Sequence, residues 1–558
     1  MLNMKSSSRF QRITGFFFLS IILFSSCMTD KKKVELLIYN ATIYTVDSLF
    51  SIADAMAIQD NKVIYVGTRQ EAENKFEATN KMDAQGKFIY PGFIDAHTHF
   101  LHYGLGLQRI DLTGTASWAE CLERIKKYVA ENKVQAGEWI VGRGWDQNDW
   151  SEKTFPDKEE LDQLYQKNPV LLKRVDGHAV LVNQIALELA GIRTGSRVWG
   201  GEIELKANKL TGILIDNAIE LVTIKIPPPS KEQMRKALLD AQRNCFEVGL
   251  TTVDDCGLNV DEVELIDSLH KSAELKMRVY AMLSDAKGNL DFLFKNGKIK
   301  TDRLNVRSVK VYADGALGSR GACLLQPYTD KPGWTGFLLA TPQHFDSIAT
   351  ALYEKGFQMC THAIGDSGNR IVLETYARQL KRKNDLRWRI EHAQVVNSID
   401  FKLFGDYSII PSVQPTHATS DMPWAEERLG PERVKGAYAY KELLKQNNWI
   451  PLGTDFPVED ISPFKTFYAA TIRKDSKGWP DKGFQMENAL SREDALRGMT
   501  VWAAKSNFEE HEKGSLEPGK FADFIILDRD LLKCTPAEIL QAKVISTFIN
   551  GEQVHCTE

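Results

Sequence analysis

Pro91-Gly-Phe-Ile-Asp-Ala-His-Thr-His-Phe100 is a short apolar run that closes on two histidines, His97 and His99, spaced i, i+2. Side chains alternate between the faces of a strand, so a strand here puts both imidazoles on one side with Phe93 and Asp95 behind them. Two neutral imidazoles side by side suit a divalent metal, which nitrogen ligands bind at about 2.0–2.1 Å. A strand carrying two hydrogen-bonded histidines has the same local pattern, so the choice rests on the remainder of the chain.

Seven further apolar runs follow at the spacing of βα units: Leu250–Asp254, Met277–Ala281, Val306–Ala313, Phe357–His362, Trp388–His392, Ile409–Val413 and Trp449–Asp455. Helical patterns lie between them; the clearest opens on Ser230 and Gln233 as a capping box and runs through Met234, Leu238, Ala241, Cys245 and Val248 to Gly249. Eight strands with intervening helices predict a (β/α)8 TIM barrel over residues 91–505, with its active site at the C-terminal ends of the strands.

About 150 residues separate the first run from Leu250, far more than a βα connection needs. Within them Trp118–Asn132 reads as an amphipathic helix with Trp118, Cys121, Leu122, Ile125 and Val129 on its apolar side, and Trp139–Asp146 and Pro169–Val182 read as strand and turn. An inserted subdomain over about 105–230, roofing the barrel mouth, is the expectation. Short strands also fill residues 34–90 and recur in Phe524–Leu527 and Val544–Val554, predicting a composite β-sandwich domain from 34–90 plus 506–558.

The chain has 558 residues, 26% of them charged, a formal net charge of −4 and eight cysteines. That balance gives no basis for nucleic-acid binding, and the cysteines are too sparse for a disulfide framework. Cys534 and Cys556 are a pair that an oxidising compartment could join. Lys5, Arg9 and Arg12 precede an apolar run, Ile13–Phe24, too short to span a membrane, which ends in Ser25-Ser26-Cys27. This reads as a lipoprotein signal over residues 1–27 with Cys27 lipidated, placing the mature chain at the cell envelope, on the periplasmic face or at the outer membrane. A plain secretory signal or an uncleaved anchor is the alternative.

The strand ends can now be compared. The first closes on His97 and His99, another carries Lys310 in phase with Tyr312 and Asp314, the next two end in His362 and His392, and the last ends in Gly453-Thr454-Asp455. A single such histidine is usually a satisfied core residue, but these six groups fall in barrel order at one mouth. The order HxH, Lys, His, His, Asp resembles the binuclear-metal amidohydrolase superfamily. Lys310-Val-Tyr-Ala-Asp-Gly-Ala-Leu-Gly-Ser-Arg320, Thr361-His-Ala-Ile-Gly-Asp366, Arg389-Ile-Glu-His-Ala-Gln394 and Gly453-Thr-Asp-Phe-Pro-Val458 are similar to the branch holding N-substituted formamide deformylases and YtcJ-like proteins.

The resemblance implies that His97, His99 and Asp455 bind one ion and His362 and His392 a second. Lys310, N6-carboxylated by CO₂, would bridge the two; a plain lysine beside one ion is the alternative. One or two divalent metals are expected, zinc by default for mixed N/O ligands, with Fe, Mn or Co open. Such a pair, about 3.5–4 Å apart, polarises a carbonyl and supplies hydroxide at neutral pH, and Asp455 would pass the proton to the leaving nitrogen. Burial near cations would supply the lowered pKa that a carboxylated Lys310 needs.

Trp145, Asp146, His178 and Arg320 are substrate-binding candidates, each equally suited to structural service; Trp424 and His417 rank below them. His102 lies out of phase with the histidine pair, and His270, His344, His511 and His555 read as surface or loop residues. The expected activity is hydrolysis of a non-peptide C–N bond in a linear or N-substituted amide. A cyclic amide, carbamate or ester is the alternative substrate, and a solute-binding lipoprotein without turnover is the alternative of another class. A homodimer is a possible assembly.

Overall fold

The structure is a computed structural model describing residues 31–557. The expected signal segment and Cys27 lie outside the described residues.

Seven parallel strands form the centre in sequential order: β1 (Phe93–Thr98), β2 (Leu250–Leu258), β3 (Arg278–Ser284), β4 (Leu304–Tyr312), β5 (Gln358–Ala363), β6 (Arg389–His392) and β7 (Ile410–Ser412). Every residue of β1, β5 and β6 is buried. Helices on one face and a filled interior on the other leave no polar side, which is why these strands read as continuous apolar runs. The intervening helices include Lys231–Glu247, whose Ser230 and Gln233 make the reciprocal capping box, and Asp366–Leu380.

The expected eighth strand, Trp449–Asp455, is not a strand. Only Leu452 is bridged to Val413, yet the segment still spans the gap from β7 to β1. Gly453 N donates to Val413 O at 3.0 Å, Ala96 N to Leu452 O at 3.2 Å, and Asp455 N to His97 O at 2.8 Å. Pro451 offers no N–H to a ladder. Gly453 passes so close that a Cβ there would stand 2.6 Å from His97 N, so the nearly closed barrel needs glycine at this position.

Strands from both ends of the chain join one eight-stranded sheet, in which Phe88–Pro91 pairs with both Lys32–Tyr44 and Phe524–Leu527. Its terminal hairpin, Val544–Ile549 with Glu552–Cys556, turns on Asn550 and Gly551, both at positive φ, as a two-residue hairpin turn requires. A further strand, Phe76–Asp83, has no apolar alternation and was not expected from the sequence; it lies largely exposed beside Lys32–Tyr44. Cys534 and Cys556 are both free thiols, so the pairing considered for them is not made.

Residues 110–216 build a six-stranded sheet with its own core around Trp145, Leu172, Leu181 and Ile213, closed by helix Trp118–Glu131. Its strands Ile110–Asp111, Ile140–Trp145 and Val170–Arg174 run parallel and, together with barrel residues, line the cavity over the strand ends.

Candidate metal centre

The C-terminal ends of β1, β4, β5 and β6, with the closing segment, bring His97, His99, Lys310, His362, His392 and Asp455 together. Register carries this: Tyr312 lies opposite His362, and Ala363 opposite His392. Asp455 Oδ1 stands 3.3 Å from His99 Nε2 and 3.6 Å from His97 Nε2, and Lys310 Nζ is 3.1 Å from His97 Nε2. The His392 ring lies 4.8 Å from that of His97 and 4.6 Å from that of His362, centroid to centroid.

Backbone geometry aims two of these groups. His392 has φ 74° and Asp455 φ 65°, a left-handed conformation that costs a non-glycine residue roughly 1 kcal/mol or more. The turn at His392 breaks strand alternation, so the consecutive residues Glu391 and His392 both reach His97.

The outer contacts fix each ring. His97 Nδ1 donates to Glu391 Oε2 at 2.6 Å, His99 Nδ1 to Cys256 O at 3.2 Å, and His392 Nδ1 to Gln414 Oε1 at 2.8 Å. Each therefore turns a bare Nε2 inward, as metal-binding histidines do when the other nitrogen is held. Burial, reinforced by Lys310, lowers His97 to about 4. Burial and neighbouring histidines hold His362 and His392 well below the usual value. Burial works against the charge of Asp455, but the neighbouring His97 and the hydrogen bond from His417 outweigh it and hold the carboxyl well down.

His97, His362 and His392 are thus neutral imidazoles and Asp455 an ionised carboxylate, the protonation states a cation binds. Two of their atoms, His362 Nε2 and Asp455 Oδ1, are buried with no hydrogen-bond partner. Orphaned buried polar atoms are costly, and a divalent ion satisfies both. The residues fit a metal. Lys310 departs from expectation: burial alone would lower it, but Cys256, Tyr312, Glu391 and Asp455 push its pKa upward. Glu391 and Asp455 are the anions among these, so the neutral amine that carboxylation needs depends on cations being in place.

Sequence reasoning missed Glu391, whose signal was an acid at zero exposure within an apolar strand, and undervalued His417. His417 sits in helix Pro415–Asp421 after β7, and places Nε2 3.3 Å from Asp455 Oδ2 and Nδ1 3.0 Å from Glu459 Oε1. Burial is overridden there by the two carboxylates, which raise His417 to about 10. Clamped between carboxylates on both nitrogens, the ring is favoured as an imidazolium, although its position also groups it with His392 and Asp455 as a set that could hold an ion.

The centre opens into a cavity of about 1170 Å³. Asp146 and His178 line it; Asp146 pairs with Arg174, and His178 Nδ1 bonds Asp216 Oδ1 at 2.5 Å with its ring 5.2 Å from that of His362. Trp145 and Arg320 do not line it. The Trp145 indole is fully buried in the core of the insertion, donating to Leu172 O at 2.8 Å, and Arg320 pairs with Asp330 at 2.8 Å.

Comparison with known proteins agrees with this geometry. The profile described as "Amidohydrolase family" matches residues 81–555. Protein LONG AFTER FAR-RED 3 of Arabidopsis thaliana is 33% identical over 93% of this chain and 91% of its own. N-substituted formamide deformylase of Arthrobacter pascens is 26% identical over 93% of this chain and 97% of its own. An uncharacterized metal-dependent hydrolase from Pyrococcus horikoshii superposes with a TM-score of 0.72 at 28% identity, covering 90% of this chain and 99% of that one.

Proposed function

The chain belongs to the amidohydrolase family, a metal-dependent hydrolase of carbon–nitrogen bonds, and we propose that its substrate is a linear or N-substituted amide. The observation that carries the metal-centred reading is the buried, deprotonated and partly orphaned donor set at the barrel mouth. The resemblance to an N-substituted formamide deformylase supports the amide class.

His97, His99 and Asp455 would hold one ion and His362 and His392 a second, with Lys310 carboxylated between them; zinc suits the donors best. A divalent ion bound there polarises the substrate carbonyl and lowers the pKa of water. Asp455 takes the proton from the attacking water and returns it to the departing nitrogen. His417 keeps that carboxylate ionised and aimed by donating to its Oδ2, and Glu459 steadies His417 from behind. Glu391 and Gln414 lock the His97 and His392 tautomers. The insertion supplies one wall of the cavity over the reacting centre. With a lipid on Cys27, this chemistry would face the cell envelope.

The test is metal content per chain beside turnover of N-formyl and N-acyl amines, in the protein and in Lys310→Ala. About two ions, falling in the variant together with activity, is the expected result. One ion, unchanged in the variant, removes Lys310 from the centre.

A further inference from the structure

The cavity wall opposite the metal centre carries an excess of unpaired positive charge. The parallel strands Ile110–Asp111, Ile140–Trp145 and Val170–Arg174 set Asp111, Arg143 and Lys173 in register, one beside the next on the same face of the insertion sheet. Arg109 leads into the first of these strands; Arg109 and Arg143 line the cavity, while Lys173, exposed on the strand beside Arg143, is not part of its lining.

Most acids of this cavity are already matched. Arg174 takes Asp146 and Asp176, His417 takes Glu459, and Lys465 takes Asp460. Asp149 makes no ion pair among the described residues, and the charges acting on its carboxyl are those of Asp146, Arg174, Glu459 and Lys477. Arg109, Arg143 and Lys173 make no ion pair among the described residues, and the Arg143 guanidinium is anchored only through Nη2 to Pro457 O at 2.5 Å. Asp111 stands beside Arg143, but its carboxylate accepts the Thr113 N–H at 2.9 Å instead. Desolvation first, then Arg143 and Arg109, bring Lys173 down to about 8, with Asp176 opposing them. The anchor at Pro457 lies two residues from Asp455, which also feels the Arg143 charge, so the cluster and the reacting centre share one space.

We propose that Arg109, Arg143 and Lys173 form a subsite for a carboxylate of the substrate, so that the amide cleaved at the metal centre is an acidic one. The inference rests on the amidohydrolase reading only for what happens at the other end of that molecule. Two guanidinium forks and an ammonium match a carboxylate geometrically, and an incoming anion relieves the repulsion among three cations. An anionic handle held by this wall turns the substrate carbonyl toward His97 and Asp455, which is positioning of the kind that raises turnover as well as affinity.

Methyl ketones lack the scissile C–N bond, so they report binding without turnover. The zinc-loaded protein is titrated with the acids from 4-oxopentanoate to 7-oxooctanoate, with the neutral ketones from 2-pentanone to 2-octanone, and with 3-oxobutylphosphonate. At least one acid is expected to bind tenfold or more tightly than its neutral counterpart. That ratio is expected to fall about tenfold in Arg143→Gln and in Lys173→Gln. A ratio near one at every length, or one that survives both substitutions, overturns the subsite. Phosphonate binding tighter than every acid overturns the carboxylate assignment. The wild-type ratio decides even if a variant does not fold. Acid preference without turnover of any amide would count against the proposed function and for this subsite; turnover of neutral amides without acid preference would do the reverse.

Discussion

The barrel interior holds two buried charge clusters, and they are built on opposite principles. Toward the floor, Arg389 Nη1 donates to Asp254 Oδ2 at 2.9 Å, Asn507 Nδ2 donates to Asp254 Oδ1 at 2.6 Å, and the guanidinium faces the Tyr280 ring at 5.2 Å. There both carboxylate oxygens are answered by protein. At the mouth, Asp455 Oδ1, His362 Nε2 and Glu391 Oε1 are answered by none. Arg389 and Asp254 are fully buried, while His99 and Asp455 keep some exposure toward the cavity, so burial separates the clusters only in part. What separates them is whether the carboxylate oxygens are satisfied within the chain, although Arg389 Nε on the floor is also without a partner.

Substitutions sharpen that contrast. At the mouth, Asp455→Asn is expected to lower kcat by about 10³-fold or more, because it removes the proton carrier while keeping the shape. Steady-state kinetics on the zinc-loaded protein would show it, and activity within tenfold of wild type would end the proton-transfer role. On the floor, Asp254→Ala leaves Arg389 buried and unpaired and is expected to cost about 3–5 kcal/mol in denaturant unfolding. His362→Ala in metal-free protein is expected to cost about 1 kcal/mol or less on the same assay, since it deletes an orphan rather than a partner. Equal losses from the two would erase the distinction.

Two smaller effects test the margins. His417→Asn is expected to lower kcat/KM about 10–100-fold, as loss of a group supporting a metal site typically does. Without that donor the Asp455 carboxyl titrates higher, so the acid limb of the pH–rate profile moves to higher pH. An unmoved limb would reduce His417 to a packing group.

Far from the cavity, His270 donates Nε2–H to Met277 O at 2.9 Å and buries a bare Nδ1, and burial lowers its pKa to about 4. The unfolded chain takes up a proton near pH 6.5 that the folded one refuses until about 4. Stability attributable to His270 is therefore full above pH 6.5 and lost as pH falls from there toward 4, by about 1–2 kcal/mol. The slope should flatten in His270→Gln.

The barrel was legible because strands covered on both faces are unbroken apolar runs, and because the candidate metal-binding groups at strand ends interrupt those runs with polar residues. His97, His362 and His392 were visible for that reason. The closing segment was misread because Ile450, Leu452 and Phe456 are buried like strand residues, while their hydrogen bonds go to scattered partners around Pro451 and Gly453. Trp145 and Arg320 were offered to the substrate because residue type cannot say which face of an insertion packs inward; the structure puts one in a core and the other on Asp330.

By itself the sequence determined seven of the barrel strands, the candidate groups near their ends and the family they imply, since these are local patterns repeated at regular spacing. Which groups touch was decided only in three dimensions. The left-handed turn at His392 brings Glu391 into play, a helix beyond β7 delivers His417 to Asp455 across 38 residues of chain, and sheet register sets Arg143 beside Lys173. Each of these contacts joins residues distant in sequence, and its energy depends on burial and on unpaired charge, which exist only once the chain has closed around them.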